Sequence, residues 1–137
     1  MSITSDQVGE NVNRAVRKVA LAVDQSVVLS TPVDKGPARS NWLVSLGSPR
    51  GDQIPAYAPG ERLGVNEQSN AAAALAQGSS VVGVRKEGQD IFITNNIPYI
   101  GKLNDGSSAQ APANFVEKAV MEAREIVKGT RVLVSRF

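Results

Sequence analysis

The sequence predicts an α+β fold: a long N-terminal helix and a C-terminal helix packed on a small, mainly antiparallel β-sheet. Three observations carry this reading. Valines recur every three or four residues from Val8 to Val27, and a second apolar stripe runs from Phe115 to Val127. Both have the period of an amphipathic helix. Between them lie short alternating apolar runs bounded by Gly and Pro, the pattern of strands and turns. A chain of 137 residues is expected to form a single domain over 1–137.

The first helix is expected over residues 5–30. Thr4 or Ser5 supplies an N-cap, with Asp6 in the first turn. Val8, Val12, Val16, Val19, Val23 and Val27 form the apolar stripe. Arg14, Arg17, Lys18 and Asp24 read as the polar face between them. Pro32 ends the helix, because the residue before a proline is driven out of the α region. A helix of that extent would be about 39 Å long, long enough for part of its stripe to face another subunit.

Pro32 to Pro37 reads as a turn, and Asn41 to Gly47 as a strand with Trp42, Val44 and Leu46 on one face. Residues 48–64 hold Pro49, Gly51, Pro55, Pro59, Gly60 and Gly64 and show no periodic pattern. That length far exceeds an ordinary connection; such a loop is usually either functional or disordered, and this one is taken as an extended contact loop. Asn66 to Gln77 is Ala-rich and is expected to be a helix closed by Gly78. Ser80 to Lys86 and Asp90 to Asn95 read as two strands of a hairpin. Lys102 to Ala111 reads as a polar loop, Pro112 as the first turn of the last helix, and Gly129 as its stop. Residues 130–137 are expected to be a short strand or a C-terminal arm on a neighbour.

Composition excludes much chemistry. The chain has neither Cys nor His. Thiol catalysis, disulfides, Cys- or His-ligated metals and any Ser-His-Asp arrangement are therefore ruled out. The only Gly-Lys pair, Gly101-Lys102, lacks the surrounding P-loop pattern. No catalytic residue, cofactor or metal site is expected, and the chain is read as not an enzyme. An enzyme using a Ser–Lys dyad or paired carboxylates would need a concave pocket holding those groups. Net charge is +2 with both signs mixed along the chain, and only 4% of residues are aromatic. Neither suits a nucleic-acid stacking surface, so Arg14, Arg17 and Lys18 read as a solvated helix face before they read as a phosphate track. No apolar run approaches the roughly 18–20 residues of a membrane span. The N-terminus lacks the basic and apolar regions of a signal peptide. The expectation is a protein kept in the cytoplasm of the cell that makes it, with no membrane partner.

Two segments stand apart from this background. Thr31-Pro32-Val33-Asp34-Lys35-Gly36-Pro37-Ala38-Arg39-Ser40-Asn41-Trp42 joins the only Trp to a turn and an Arg. Trp42 reads first as a core anchor and Arg39 as the partner of an acid such as Asp34. Both types are also enriched at interfaces. The second segment is Asn95-Asn96-Ile97-Pro98-Tyr99, followed by Leu103-Asn104-Asp105-Gly106-Ser107-Ser108-Ala109-Gln110-Ala111-Pro112. In that order, between two helices, these motifs resemble bacteriophage neck and tail-completion proteins, the group of the HK97 gp10-like proteins and lambda tail-completion protein Z. The resemblance covers roughly residues 5 to 128. It departs at Asn104, where the family usually has an acid, with Asp105 one place later.

The resemblance implies a structural subunit of a tailed-phage virion. It would form a homo-oligomeric ring, six-fold in most of the family, joining the head connector to the tail tube. Its partners would be copies of itself, neighbouring neck proteins and the tail tube or terminator. DNA would pass through the lumen without sequence-specific binding. The chain would reside in the host cytoplasm during assembly and in the virion neck afterwards. A tail terminator or head-side stopper of the same neck is the nearest alternative, and a small nucleic-acid-binding module a more distant one. Expected subunit or partner contacts are Arg39, Trp42, Arg50, Tyr57, Arg62, Tyr99, Asp105, Ser107 and Gln110.

Overall fold

A computed structural model describes residues 2–6, 13–31, 37–57, 67–86, 88–105, 114–126 and 131–135. Strand β1 (Ser2–Asp6) opens the chain and helix α1 (Asn13–Ser30) follows. A short helix α2 (Pro37–Ser40) leads into β2 (Leu43–Leu46). Helix α3 (Glu67–Gly83), strand β3 (Ile91–Thr94) and the short α4 (Ile100–Asn104) come next. Helix α5 (Phe115–Ile126) and strand β4 (Arg131–Ser135) complete the order. The result is the α+β class, with helices packed on a small antiparallel sheet.

The sheet has four strands in the order β2-β3-β1-β4, every neighbouring pair antiparallel. Ile93 is the pivot of the register, opposite Val44 on one side and Ile3 on the other. Ile91, Ile93 and Val44 are buried, as the period-2 rule requires of residues sharing the inner face. Helices α1, α3 and α5, with Ile97 and Ile100, supply the rest of one hydrophobic cluster, in which Trp42 is fully enclosed.

The N-terminal helix does not begin at residue 5. Residues 2–6 are extended, so Thr4 and Ser5 are strand residues and not helix caps. Alpha1 has 18 residues and is about 27 Å long. The physical reason is non-local. Beta1 bonds to β3 on one side and β4 on the other, and a strand paired on both edges outweighs a local capping signal. Val8 and Val12 lie outside the described residues. The remaining stripe behaves as read: Val16, Val19, Val23 and Val27 are all buried.

Helix α3 corrects two expectations together. It runs through Gly78 to Gly83, so Gly78 is no C-cap and Ser80 onward is no strand. The hairpin is absent, and β3 pairs instead with β2 and β1. Asn70, Ala71, Ala74 and Val82 are buried and Gly78 lies on the same helical stripe. Gly78 is there for space. A Cβ at that position would run into the Asp24 carboxyl and come within 3.1 Å of Val44. Glycine costs about 1 kcal/mol in a helix interior, and here it lets α1 and α3 approach.

Two further expectations are revised, and one is decided between its alternatives. The loop 102–111 begins as helix α4, and residues 106–111 lie outside the described part. The last helix begins at Phe115, after Asn114 takes a positive φ of 62° that Asn tolerates; Pro112, Val127 and Gly129 are outside the described residues. The stretch read as a strand or a C-terminal arm contains β4, a strand of the chain's own sheet.

Candidate functional site

The Thr31–Trp42 segment folds into a knot at the end of α1. The Trp42 indole N–H donates to Thr31 Oγ1 at 2.7 Å, and that hydroxyl donates to the Val27 carbonyl at 2.6 Å. Arg39 donates through Nε to the Thr31 carbonyl at 3.2 Å and through Nη2 to the Leu29 carbonyl at 3.3 Å. The last carbonyls of a helix lack intrahelical donors and carry partial negative charge. A guanidinium placed on them closes α1 where its own backbone cannot. Trp42 is fully buried within its own chain, which bears out its reading as a core anchor and corrects the alternative that it lies in a contact. Arg39 is half-buried on the same knot, and Asp34, its expected acidic partner, lies outside the described residues.

The first half of the 48–64 loop is held against its own body. Asn41 donates from Nδ2 to the Ile54 carbonyl at 2.8 Å and accepts from the Ile54 N–H at 2.7 Å. Asn96 donates to the carbonyls of Arg50 and Asp52. Ser40 Oγ accepts from the Tyr57 N–H at 3.2 Å and donates to Asn70 on α3. These side chains replace the sheet or helix partners that a loop backbone lacks. Residues 58–64, Arg62 among them, are outside the described part. What faces outward is a small polar and aromatic patch: Arg50, paired with Asp52 through Nε at 2.9 Å, and the exposed Tyr57. The hydrogen bond to Arg50 holds the Asp52 carboxyl below its usual range. Partial burial of the Tyr57 phenol raises its pKa, the Arg50 charge opposes that rise, and the charge of Asp24 adds to it.

The second motif joins the first. Asn95 donates from Nδ2 to the Ala38 carbonyl at 2.8 Å and accepts from the Ile97 N–H at 3.1 Å. Tyr99 is half-buried and packs against the edge of the core. Asn104 is buried and caps a helix other than its own: Oδ1 accepts from the Val116 N–H at 2.9 Å, and Nδ2 donates to the Glu117 carboxylate at 2.9 Å. A carboxamide suits this environment better than a carboxylate, which has no proton to give Glu117. Asn104→Ala should cost about 1–2 kcal/mol, read as a lower urea midpoint at unchanged m-value. Asp105 is exposed just beyond α4, while Ser107 and Gln110 lie outside the described residues.

Three functional-looking residues were not singled out from the sequence. Gln77 on α3 pairs with both backbone groups of Val44, accepting from its N–H and donating to its carbonyl at 3.0 Å each. It seals the outer edge of β2 as a neighbouring strand would. Asp24 reads as polar face, yet it is only 1% exposed and both carboxyl oxygens lack a hydrogen-bond partner. Burial pushes its pKa up to about 8. The available signal was helical phase: Asp24 shares the i, i+4 row of Ala20 and Val28, both buried. Gly78, opposite it, carries no independent sequence signal beyond its place between two apolar turns.

The basic cluster on α1 is divided. Arg17 donates to the Arg85 carbonyl at 2.6 Å, whereas Lys18 is exposed. Among the described residues no helix is long and apolar enough to cross a membrane. Compared with known protein families, with curated proteins and with solved structures, the chain matches none.

Proposed function

We propose that this chain is a non-catalytic structural subunit of a tailed-bacteriophage neck, a tail-completion protein that forms a ring between the head connector and the tail tube. The reading rests on the ordered motifs Thr31–Trp42, Asn95–Tyr99 and Leu103–Pro112. One observation carries it furthest. The first two motifs are bonded to each other, Asn95 to the Ala38 carbonyl across 57 residues of sequence. The motif residues therefore act as one unit that holds a loop and two helix ends in place and presents Arg50 and Tyr57 outward. A protein working by fit between surfaces needs such a rigid mount, and a ring needs two different faces on each subunit. The chain assembles in the host cytoplasm and resides in the virion, where DNA passes its lumen without base-specific contact.

Electron micrographs of particles carrying a label on this chain should place it as a ring at the head–tail joint. Label elsewhere in the particle, or absent from it, overturns the reading. Tyr57→Ala probes the outward patch. Its stability should stay within about 0.5 kcal/mol of the parent, while the yield of joined particles in a complementation assay falls at least about tenfold. Full joining by that variant removes Tyr57 from the contact.

A further inference from the structure

The buried carboxyl of Asp24 makes no hydrogen bond among the described residues. It stabilises no cap and obliges α3 to carry a glycine opposite it. A carboxyl so placed is tolerated only while neutral, because an isolated buried charge is far costlier than a neutral acid. Among the described residues, the groups around it supply no counter-charge. Beta2 (Leu43–Leu46) contains no ionisable residue, and α3 has only Glu67, at its first position. Tyr57 is the group in the loop that senses the Asp24 charge. Arg50 is paired with Asp52, and Arg39 on α2 is bonded to the end of α1. On α5, Glu117 is bonded to Asn104, and Lys118, Glu122 and Glu125 are exposed. Arg17, two turns before Asp24 on α1, donates to the Arg85 carbonyl.

The element opposite Asp24 packs through smaller side chains. Alpha3 fully buries Ala71, Ala74 and Val82, with Leu75 and Val81 partly buried against the core, whereas α5 buries Phe115, Val116 and Val120. Small side chains bury little apolar area and so contribute little to holding a helix down. The polar ties of α3 include the Gln77 pair with Val44 and the bond between Asn70 and Ser40.

We propose that Asp24 and Gly78 form a proton-gated latch between α1 and α3. The seam stays shut while Asp24 is neutral. Ionisation lets α3 lift off, hydrates the carboxylate, and withdraws Gln77 from Val44, so that the edge of β2 becomes open to an incoming strand. A freed edge of this kind is what strand-adding partners use. The proposal is independent of the assembly reading, since it concerns the isolated chain.

Hydrogen exchange of the full-length protein between pH 5 and 8, corrected for intrinsic amide chemistry, tests it. Protection in α3 and at Val44 should fall about tenfold per pH unit and stay well below that of α5 and β3, which open only with the whole fold. In Asp24→Asn the α3 protection should be independent of pH, and Tyr57→Phe should keep the parent slope. Asp24→Ser serves the same purpose should the asparagine variant fold poorly. Three results overturn the latch: constant α3 protection in the parent, α3 protection equal to that of α5 and β3 at every pH, which marks global unfolding alone, or a slope abolished by Tyr57→Phe.

Discussion

Asp24→Asn should stabilise the protein by about 4 kcal/mol at pH 7 and by almost nothing at pH 3. The folded state holds the Asp24 proton up to about pH 8, against an ordinary value of 3.8. The fold therefore gains most from this residue below pH 3.8, where the unfolded chain is protonated too. As pH rises from there the unfolded state ionises freely and the folded state does not. Stability falls by about 1.4 kcal/mol per unit until the folded group ionises near pH 8. Asparagine has nearly the size of the neutral acid and no titration, so it removes the slope with little change in packing. Thermal melts of both proteins across pH 3 to 9 should converge at the acid end and diverge toward the alkaline end. Equal slopes in parent and variant would show that the fold does not hold Asp24 neutral. The effect is large beside the roughly 5–15 kcal/mol that holds an ordinary domain together, so the parent should be noticeably less stable in mild alkali.

Trp42→Ala should cost about 3–5 kcal/mol, from lost burial and the cavity left behind. The side chain is fully buried and in the single core cluster. Its N–H is also the donor that Thr31 Oγ1 accepts, and Thr31 in turn ties back to Val27. Trp42→Phe separates the two effects. It keeps an aromatic ring in the core and removes the N–H, and should cost about 1–3 kcal/mol for a buried acceptor left short, plus what the smaller ring fails to fill. Urea unfolding with unchanged m-value measures both. A loss below 1 kcal/mol for the alanine variant would mean that Trp42 is not the anchor of the α1 end.

Much of the architecture was legible in the chain. The burial of Val16, Val19, Val23 and Val27 follows from spacing alone, as does that of Phe115, Val116, Ala119 and Val120 on α5. Strands at residues 43–46 and 91–94 were visible as short alternating runs. The candidate site was legible in part. The turn-Arg-Trp and Asn-Asn segments were marked as unusual, and in the fold they are bonded to each other. Of its two readings Trp42 took the core and not the contact; the same atoms suit both, and residue type does not distinguish them. Arg50, Tyr57 and Asp105 lie at or near the surface of the described part, with Tyr57 and Asp105 the most open.

The errors share one cause. Ser2–Asp6 looked like a helix start because Thr4, Ser5 and Asp6 carry a local capping signal. They form a strand because β3 and β4, some 90 and 130 residues away, bond to both its edges. Gly78 looked like a stop signal and is a contact, because its meaning depends on Asp24 lying across from it.

By itself the sequence determined what local periodicity and composition determine: two amphipathic helices, several strands, and the loss of all His and Cys chemistry. Only the tertiary structure decided partnership. It chose which strands pair, turned a polar-face aspartate into a buried neutral acid, made Gln77 the cover of a sheet edge, and set Asn104 on the start of another helix. Period and propensity belong to neighbours along the chain. Pairing, desolvation and capping across elements belong to neighbours in space, which no stretch of the sequence contains by itself.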